Sequence, residues 1–198
     1  ALYSALYILG KISKKELMSF RNIGTKLQGH PDRTKLKFIE LGTGALGQGL
    51  SVSIGFALAN KILKKNKKSF CLVGDGEIQE GQIWEAAMYA GSHKLKNLCL
   101  IIDNNKMQNE TYTNKTLDIM PIGEKWRAFK WNVIHINGHS FDQLNKAFNN
   151  FYLEKQKPTV IIANTIKGKG ISFMENSPEW HSKVLDKVSY FKAMKELT

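Results

Sequence analysis

A chain of 198 residues with 42% hydrophobic side chains is long enough to bury a sizeable core and too apolar to stay disordered. It has no apolar run of about 18 residues and no signal-peptide pattern, so neither a membrane span nor export is expected. The formal charge of +12 invites nucleic acid as a partner, but only Arg21, Arg33 and Arg127 of the 29 basic residues are Arg, the usual reader of phosphates and bases, and the lysines are scattered apart from a short cluster over 64–68; nucleic acid is therefore set aside, though anionic small molecules would still be attracted.

In chain order, residues 1–9 read as the end of a helix stopped by Gly10. Ser13-Lys14-Lys15-Glu16 is a capping box that opens a short helix to about Phe20. Residues 21–43 show no period and contain Gly24, Gly29, His30 and Pro31; they read as an extended surface loop, and loops this long usually have a function. Gly42, Gly44, Gly47 and Gly49 then precede a helix to about Lys65 whose apolar face is Leu50, Ile54, Ala57, Leu58 and Ile62. Glycines at a helix start suit backbone pressed against an anionic ligand, although a tightly packed turn explains them equally well. A dinucleotide fingerprint would need a good strand ahead of them, and 37–41 is a poor one.

The most informative stretch is 69–109. Phe70–Val73 is a short apolar run closed by Gly74-Asp75-Gly76. Ile83, Trp84, Ala87, Met88 and Ala90 follow at helical spacing, and Leu98–Ile102 is a second apolar run closed by Asp103-Asn104-Asn105. Two such runs joined by a helix predict a right-handed βαβ unit in a parallel sheet. Both strands then point the same way, and Asp75 and Asn105 share the carboxyl-terminal edge where open α/β sheets bind ligands. A carboxylate and an amide oxygen are hard donors suited to Mg²⁺, which completes its shell with phosphate and water. Gly76 lets backbone approach closely, and the helix behind it presents N–H groups to an anion. Gly-Asp-Gly or Asn-Asn alone is most often a turn; the pair, each closing an apolar strand, points to a metal–diphosphate site. Cys71 and Cys99 lie inside the two runs and read as buried free thiols, which fits a reducing cytoplasm.

Beyond this unit, 106–120 reads as loop, and Pro121 opens a helix to about Lys130. Trp131–Ile136 reads as a strand, and Phe141–Gln156 as an amphipathic helix capped by Ser140. Pro158–Thr165 reads as another apolar strand, followed by Lys167-Gly168-Lys169-Gly170, a loop through Trp180-His181 and a last helix. The alternation predicts one α/β domain over 1–198, a doubly wound, mostly parallel sheet flanked by helices. His93, His135 and His139 belong to no motif and read as structural.

Five motifs in order resemble the transketolase branch of the thiamine diphosphate enzymes: Gly-His-Pro at His30, Gly44-Ala45-Leu46-Gly47-Gln48-Gly49, the 74–105 unit with Glu80-Gly81, Lys167-Gly-x-Gly, and Glu-Trp-His at His181. The resemblance spans nearly the whole chain. It implies that Asp75, the Asn105 side chain and the Met107 carbonyl hold Mg²⁺. It implies that Gly74, Gly76, Lys167 and His181 contact the diphosphate, and that Gly44, Ala45 and Leu46 hold the cofactor's ring region. His30 and His181 would face the sugar phosphate. Glu80 would lie near the dimer interface and the catalytic Glu of a partner domain, and Glu77 has no implied role. Ala45 stands where the family has Pro or Ser, and Ser182 where it usually has Gly.

The resemblance covers only the diphosphate side of the cofactor, so the pyrimidine-binding part must lie on a further domain or on a C-terminal subunit, in a homo- or hetero-oligomer. The start of the chain falls just after a further His-bearing motif of the family, so the amino-terminus is expected to be truncated. Residues 171–176 look more like a split, two-chain transketolase. The implied reaction is transfer of a two-carbon ketol unit between sugar phosphates. An enzyme for a specialised sugar, a deoxyxylulose phosphate synthase, a ketoacid dehydrogenase E1 component and a non-enzymatic basic nucleic-acid-binding module are the alternatives.

Overall fold

Residues 1–109 and 111–198 are described in a computed structural model, in which the chain forms two compact units, 1–46 and 47–198. In the first, α1 (Leu2–Ile8) is followed by α2 (Lys14–Met18), whose capping box is complete: the Ser13 hydroxyl accepts from the Glu16 amide at 3.2 Å and the Glu16 carboxylate accepts from the Ser13 amide at 2.8 Å. The stretch expected to be a surface loop instead supplies half the unit's interior, because Leu27, Leu36 and Ile39 bury themselves against Tyr3 and Ile12. The Tyr3 hydroxyl donates to the Gln28 carbonyl at 2.8 Å, which ties this irregular chain to α1.

The second unit opens with α3 (Gln48–Ile62) and continues with β1 (Ser69–Gly74), a short 3-10 turn at Glu77–Gln79, α4 (Gly81–Ser92) and β2 (Leu98–Asn104). Residues 106–120, expected as loop, hold a small antiparallel ribbon, β3 (Met107–Gln108) with β4 (Thr111–Tyr112), and a helical turn α5 (Thr113–Thr116). Then come α6 (Ile122–Ala128), β5 (Asn132–Asn137), α7 (Phe141–Leu153), β6 (Thr159–Asn164), a 3-10 turn at Pro178–His181 and α8 (Lys187–Leu197).

The large strands form one parallel sheet in the order β1-β2-β6-β5. Leu50, Ile54 and Ala57 of α3, Ile83 and Ala87 of α4, and Trp126 of α6 bury one face with Val73, Leu100, Ile102 and Ile162. Ala147 and Phe151 of α7 cover the other against Cys99, Ile136 and Ile161. Helices on both faces make the sheet doubly wound, as the βα alternation predicts. The two central strands, β2 and β6, are apolar on both sides, whereas β1 alternates buried with exposed residues because it lies at an edge and only one of its faces is fully covered. Both cysteines are buried and free. Among the described residues no helix is long and apolar enough to cross a membrane.

Gly91 marks the closest approach of α4 to the chain after α6. A β-carbon there would lie 1.8 Å from the Phe129 carbonyl oxygen, a backbone atom that cannot swing aside. Gly91→Ala is therefore expected to cost about 3 kcal/mol or more in urea unfolding, well above an ordinary helix Gly→Ala change, which normally stabilises. A neutral or stabilising result would show that this packing is loose.

Candidate active site

The site begins with strand register. Gly74 pairs with Asp103 across the parallel β1–β2 ladder, so the next residues of both strands leave the sheet at one edge. Asp75 is only 1% exposed. Its carboxylate accepts two backbone N–H groups, from Gly76 at 2.9 Å and from Lys106 at 2.6 Å, while its own N–H donates to the Asp103 carbonyl at 3.2 Å. Lys106 adopts φ 65°, the turn that brings its amide round to Asp75. Burial pushes the Asp75 carboxyl up to about 6, against the pull of these two amides, and the charge of Asp103 adds to the rise.

Asp75 has no cationic partner among the described residues, where the ion pairs are Lys169–Glu175 and Lys183–Glu179. A nearly buried carboxylate without a counter-charge is costly unless a cation occupies the place beside it. Asn105, two residues beyond the paired Asp103, follows directly on the same edge. Its side-chain oxygen accepts from the Met107 amide at 2.9 Å, which fixes the amide orientation and still leaves a lone pair. Met107 is buried in the ribbon. No cluster of three or more His, Cys, Asp or Glu exists among the described residues. A cation here would rely on one carboxylate, amide and carbonyl oxygens and the ligand's own phosphates, the donor set that suits Mg²⁺.

The floor of the edge is shaped by Gly76, where an added β-carbon would lie 2.6 Å from Cβ of Gln108. The Gln108 side-chain oxygen is buried without a protein partner among the described residues, an unspent acceptor next to Gly76. Glu77, to which the sequence assigned no role, is a structural clasp. Its carboxylate accepts from the Gly47 amide at 2.9 Å and from the Gly74 amide at 3.2 Å, binding the start of α3 to the end of β1. Gly47 sits at φ 80°, and a β-carbon there would press on Glu80 and Gln82 at 2.9 Å. The available signal was a carboxylate three residues after a strand and beside two glycine-rich turns, which anchors helix-end amides well. Glu80 itself is exposed and begins α4 without a side-chain cap.

The neighbouring strand completes the edge. The Thr165 hydroxyl donates to Asp103 in a very short bond, and the Asn104 side chain donates to Asn164 at 2.7 Å. The His139 ring accepts from the Ile166 amide at 2.8 Å, so this histidine supports the chain entering Lys167, in keeping with a structural role. Gly168, at φ 77°, allows the loop to close on Met174, and the Asn176 amide donates to the Lys167 carbonyl at 3.1 Å. The turn carrying His181 packs against β3 and β4, beside Met107, with His181 itself exposed. Gly74, Asp75, Gly76, Asn105 and Met107 are thus gathered at one edge, with Lys167 and His181 on the segments that follow β6. In the first unit, His30 packs on Gly44, whose β-carbon would meet the imidazole at 2.9 Å, and lines a cavity of about 600 Å³ with Arg21 and Asp32. Ala45 and Leu46 are exposed at the end of that unit.

Fold and edge together define the class: a doubly wound α/β domain with a glycine-lined ligand edge built on one buried carboxylate. Within that class the chain belongs to the transketolase family. The family model described as the transketolase thiamine diphosphate binding domain matches residues 1–197. One of the two subunits of an apulose-4-phosphate transketolase, from Phocaeicola vulgatus, is 38% identical over 198 residues, covering 100% of this chain and 70% of the relative. A 6-deoxy-6-sulfo-D-fructose transketolase subunit of a Clostridium species is 40% identical over 197 residues, covering 100% and 72%. The crystal structure of transketolase from Campylobacter jejuni superposes with TM-score 0.92 at 35% identity, over 99% of this chain and 32% of that one. The chain therefore spans about a third of that solved transketolase chain.

Two outcomes follow from this geometry. Because the Asp75 carboxyl rises from 3.8 unfolded to about 6 folded, its contribution to stability without metal is fully present below about pH 4 and lost as pH rises through about 6. The stability difference between wild type and Asp75→Ala, measured by urea unfolding across that range, should fall as pH rises; a pH-independent difference would contradict the burial argument. Glu77→Ala should cost about 1–3 kcal/mol, because two backbone amides lose their acceptor.

Proposed function

We propose that the chain is the diphosphate-binding part of a transketolase that transfers a two-carbon ketol unit between sugar phosphates, with thiamine diphosphate and Mg²⁺ as cofactors. The observation that carries this reading is the buried, cation-free Asp75 carboxylate at the glycine-lined sheet edge. Asp75, the Asn105 side chain and the Met107 carbonyl would hold the metal, and Gly74 and Gly76 would admit the diphosphate to the backbone. The cofactor, when bound, supplies stabilisation of the carbanion formed on cleaving the ketose. Lys167 and His181 would neutralise phosphate charge, each such charge-assisted bond contributing on the order of 1.5–3 kcal/mol. Gly44, Ala45 and Leu46 would hold the ring region. His30 and His181, whose side chains titrate near neutrality when unperturbed, would move protons on the sugar hydroxyls.

The pyrimidine side and its activating Glu would come from a partner, with Glu80 near that interface. Two of the similar proteins are named as subunits of transketolases, which supports a separate C-terminal chain and a hetero-oligomer. The sugars in their names, apulose-4-phosphate and 6-deoxy-6-sulfo-D-fructose, favour an acceptor or donor from a specialised sugar route over the general pentose phosphate sugars. The two buried free thiols suit a cytoplasmic setting.

Thermal melting with and without Mg²⁺, thiamine diphosphate and a candidate C-terminal partner chain tests the proposal. Stabilisation should require the metal, grow with the partner and vanish in Asp75→Ala; an undiminished shift in that variant would remove the metal assignment. His181→Ala should lower activity of the assembled enzyme by about tenfold or more while leaving its melting temperature nearly unchanged. Equal loss of both would make His181 a structural residue.

A further inference from the structure

The opposite end of the sheet concentrates charge of one sign. The segments entering β1, β2 and β6 surround a groove of about 540 Å³ lined by eight lysines, three asparagines and one glutamine, without a carboxylate or an arginine among the described residues. The Lys64–Lys68 cluster visible in the sequence forms one wall, Lys94 and Lys96 another, and Lys155 a third. None of these lysines takes part in the ion pairs of the described residues. The carboxylate adjacent in sequence, Glu154, accepts instead from the amides of Gln156 and Lys157.

Helices α3, α4 and α7 all end near this groove, and cations favour helix carboxyl ends. That accounts for a lysine or two per helix, not for eight crowded together. Lys64 and Lys94 moreover occupy left-handed positions, φ 50° and 49°, just past α3 and α4, where the following amides close onto Asn60 and Ala90. Glycine is the residue such positions favour, so each lysine stands where a side chain is a cost. The Lys68 ammonium lies 5.0 Å from the centre of the Phe151 ring. It is held below the ordinary lysine range, first by burial and then by Lys155 and Lys96. The groove is therefore a cation trap under self-repulsion, which a bound anion would relieve.

We infer that this groove is a binding site for a small, multiply charged oxyanion of the polyphosphate class, at the end of the sheet away from the Asp75 edge. Its volume is in the range of small-molecule sites. Lysine ammonium groups act as adaptable point charges, suited to several phosphates rather than to one planar fork. The lining contains no aromatic ring, so it offers no platform for stacking bases, which disfavours single-stranded nucleic acid.

The test is titration of inorganic tripolyphosphate into the chain without magnesium or thiamine diphosphate, at constant ionic strength, followed by calorimetry and thermal melting. Saturable binding is expected for wild type and equally for Asp75→Ala, which keeps this result independent of the cofactor assignment. The triple variant Lys68→Gln, Lys96→Gln, Lys155→Gln should bind about tenfold more weakly or worse. Without ligand it should melt no lower than wild type, since repulsion is reduced. Should the triple variant melt well below wild type, Lys96→Gln and Lys155→Gln are compared singly, and weaker binding by either supports the site. Binding no stronger than that of sulfate, undiminished binding in the variants, or tighter binding of a single-stranded oligonucleotide that displaces tripolyphosphate would each overturn the inference.

Discussion

A carboxylate that is 1% exposed and faces no protein cation among the described residues is the constraint around which the second unit is arranged. Left in that state Asp75 opposes folding, and the chain offsets the cost with two backbone amides, one from its own turn and one from the turn after the neighbouring strand. That second amide is within reach only because β1 and β2 run parallel in one register. The same arrangement leaves carboxylate, side-chain amide and glycine backbone facing the place where a metal-bound anion would sit. Charge buried at a ligand edge and binding capacity are here one property: the carboxylate is held ready at the expense of stability.

Several smaller devices serve that edge. Glu77 joins the starts of two glycine turns, so that the end of β1 and the beginning of α3 cannot drift apart. Asn104, Asn164 and Thr165 link β2 to β6 by side-chain bonds where the backbone ladder runs out. His139 holds the first amide of the loop that leads to Lys167. The two ends of the sheet differ in electrostatic character. One gathers acceptors and a single carboxylate, and the other gathers lysines that repel one another. A net charge of +12 says nothing about this separation.

Membership of the transketolase family accounts for the order of the motifs and for the shape of the sheet. It does not by itself explain why residues with no recognisable motif stand where they do. Glu77 gives no local signal because its partners, Gly47 and Gly74, are 30 and 3 residues away, and only folding brings both amides to one carboxylate. The irregular 21–43 stretch reads as solvent-exposed because it lacks a period. Leu27, Leu36 and Ile39 bury individually, not as a stripe, and periodicity cannot register such burial.

Local chemistry alone determined the alternation of strands and helices, the Ser13 capping box, the apolar central strands and the candidacy of Asp75 and Asn105. Each depends on neighbours within a turn or on a repeat of side-chain character along one segment. Tertiary structure decided that β1 is an edge strand, that residues 106–120 form a ribbon instead of a plain loop, and that lysines from three separate segments line one groove. Those outcomes depend on which segments lie side by side, and contacts between residues distant in the chain leave no period or spacing in the sequence to read.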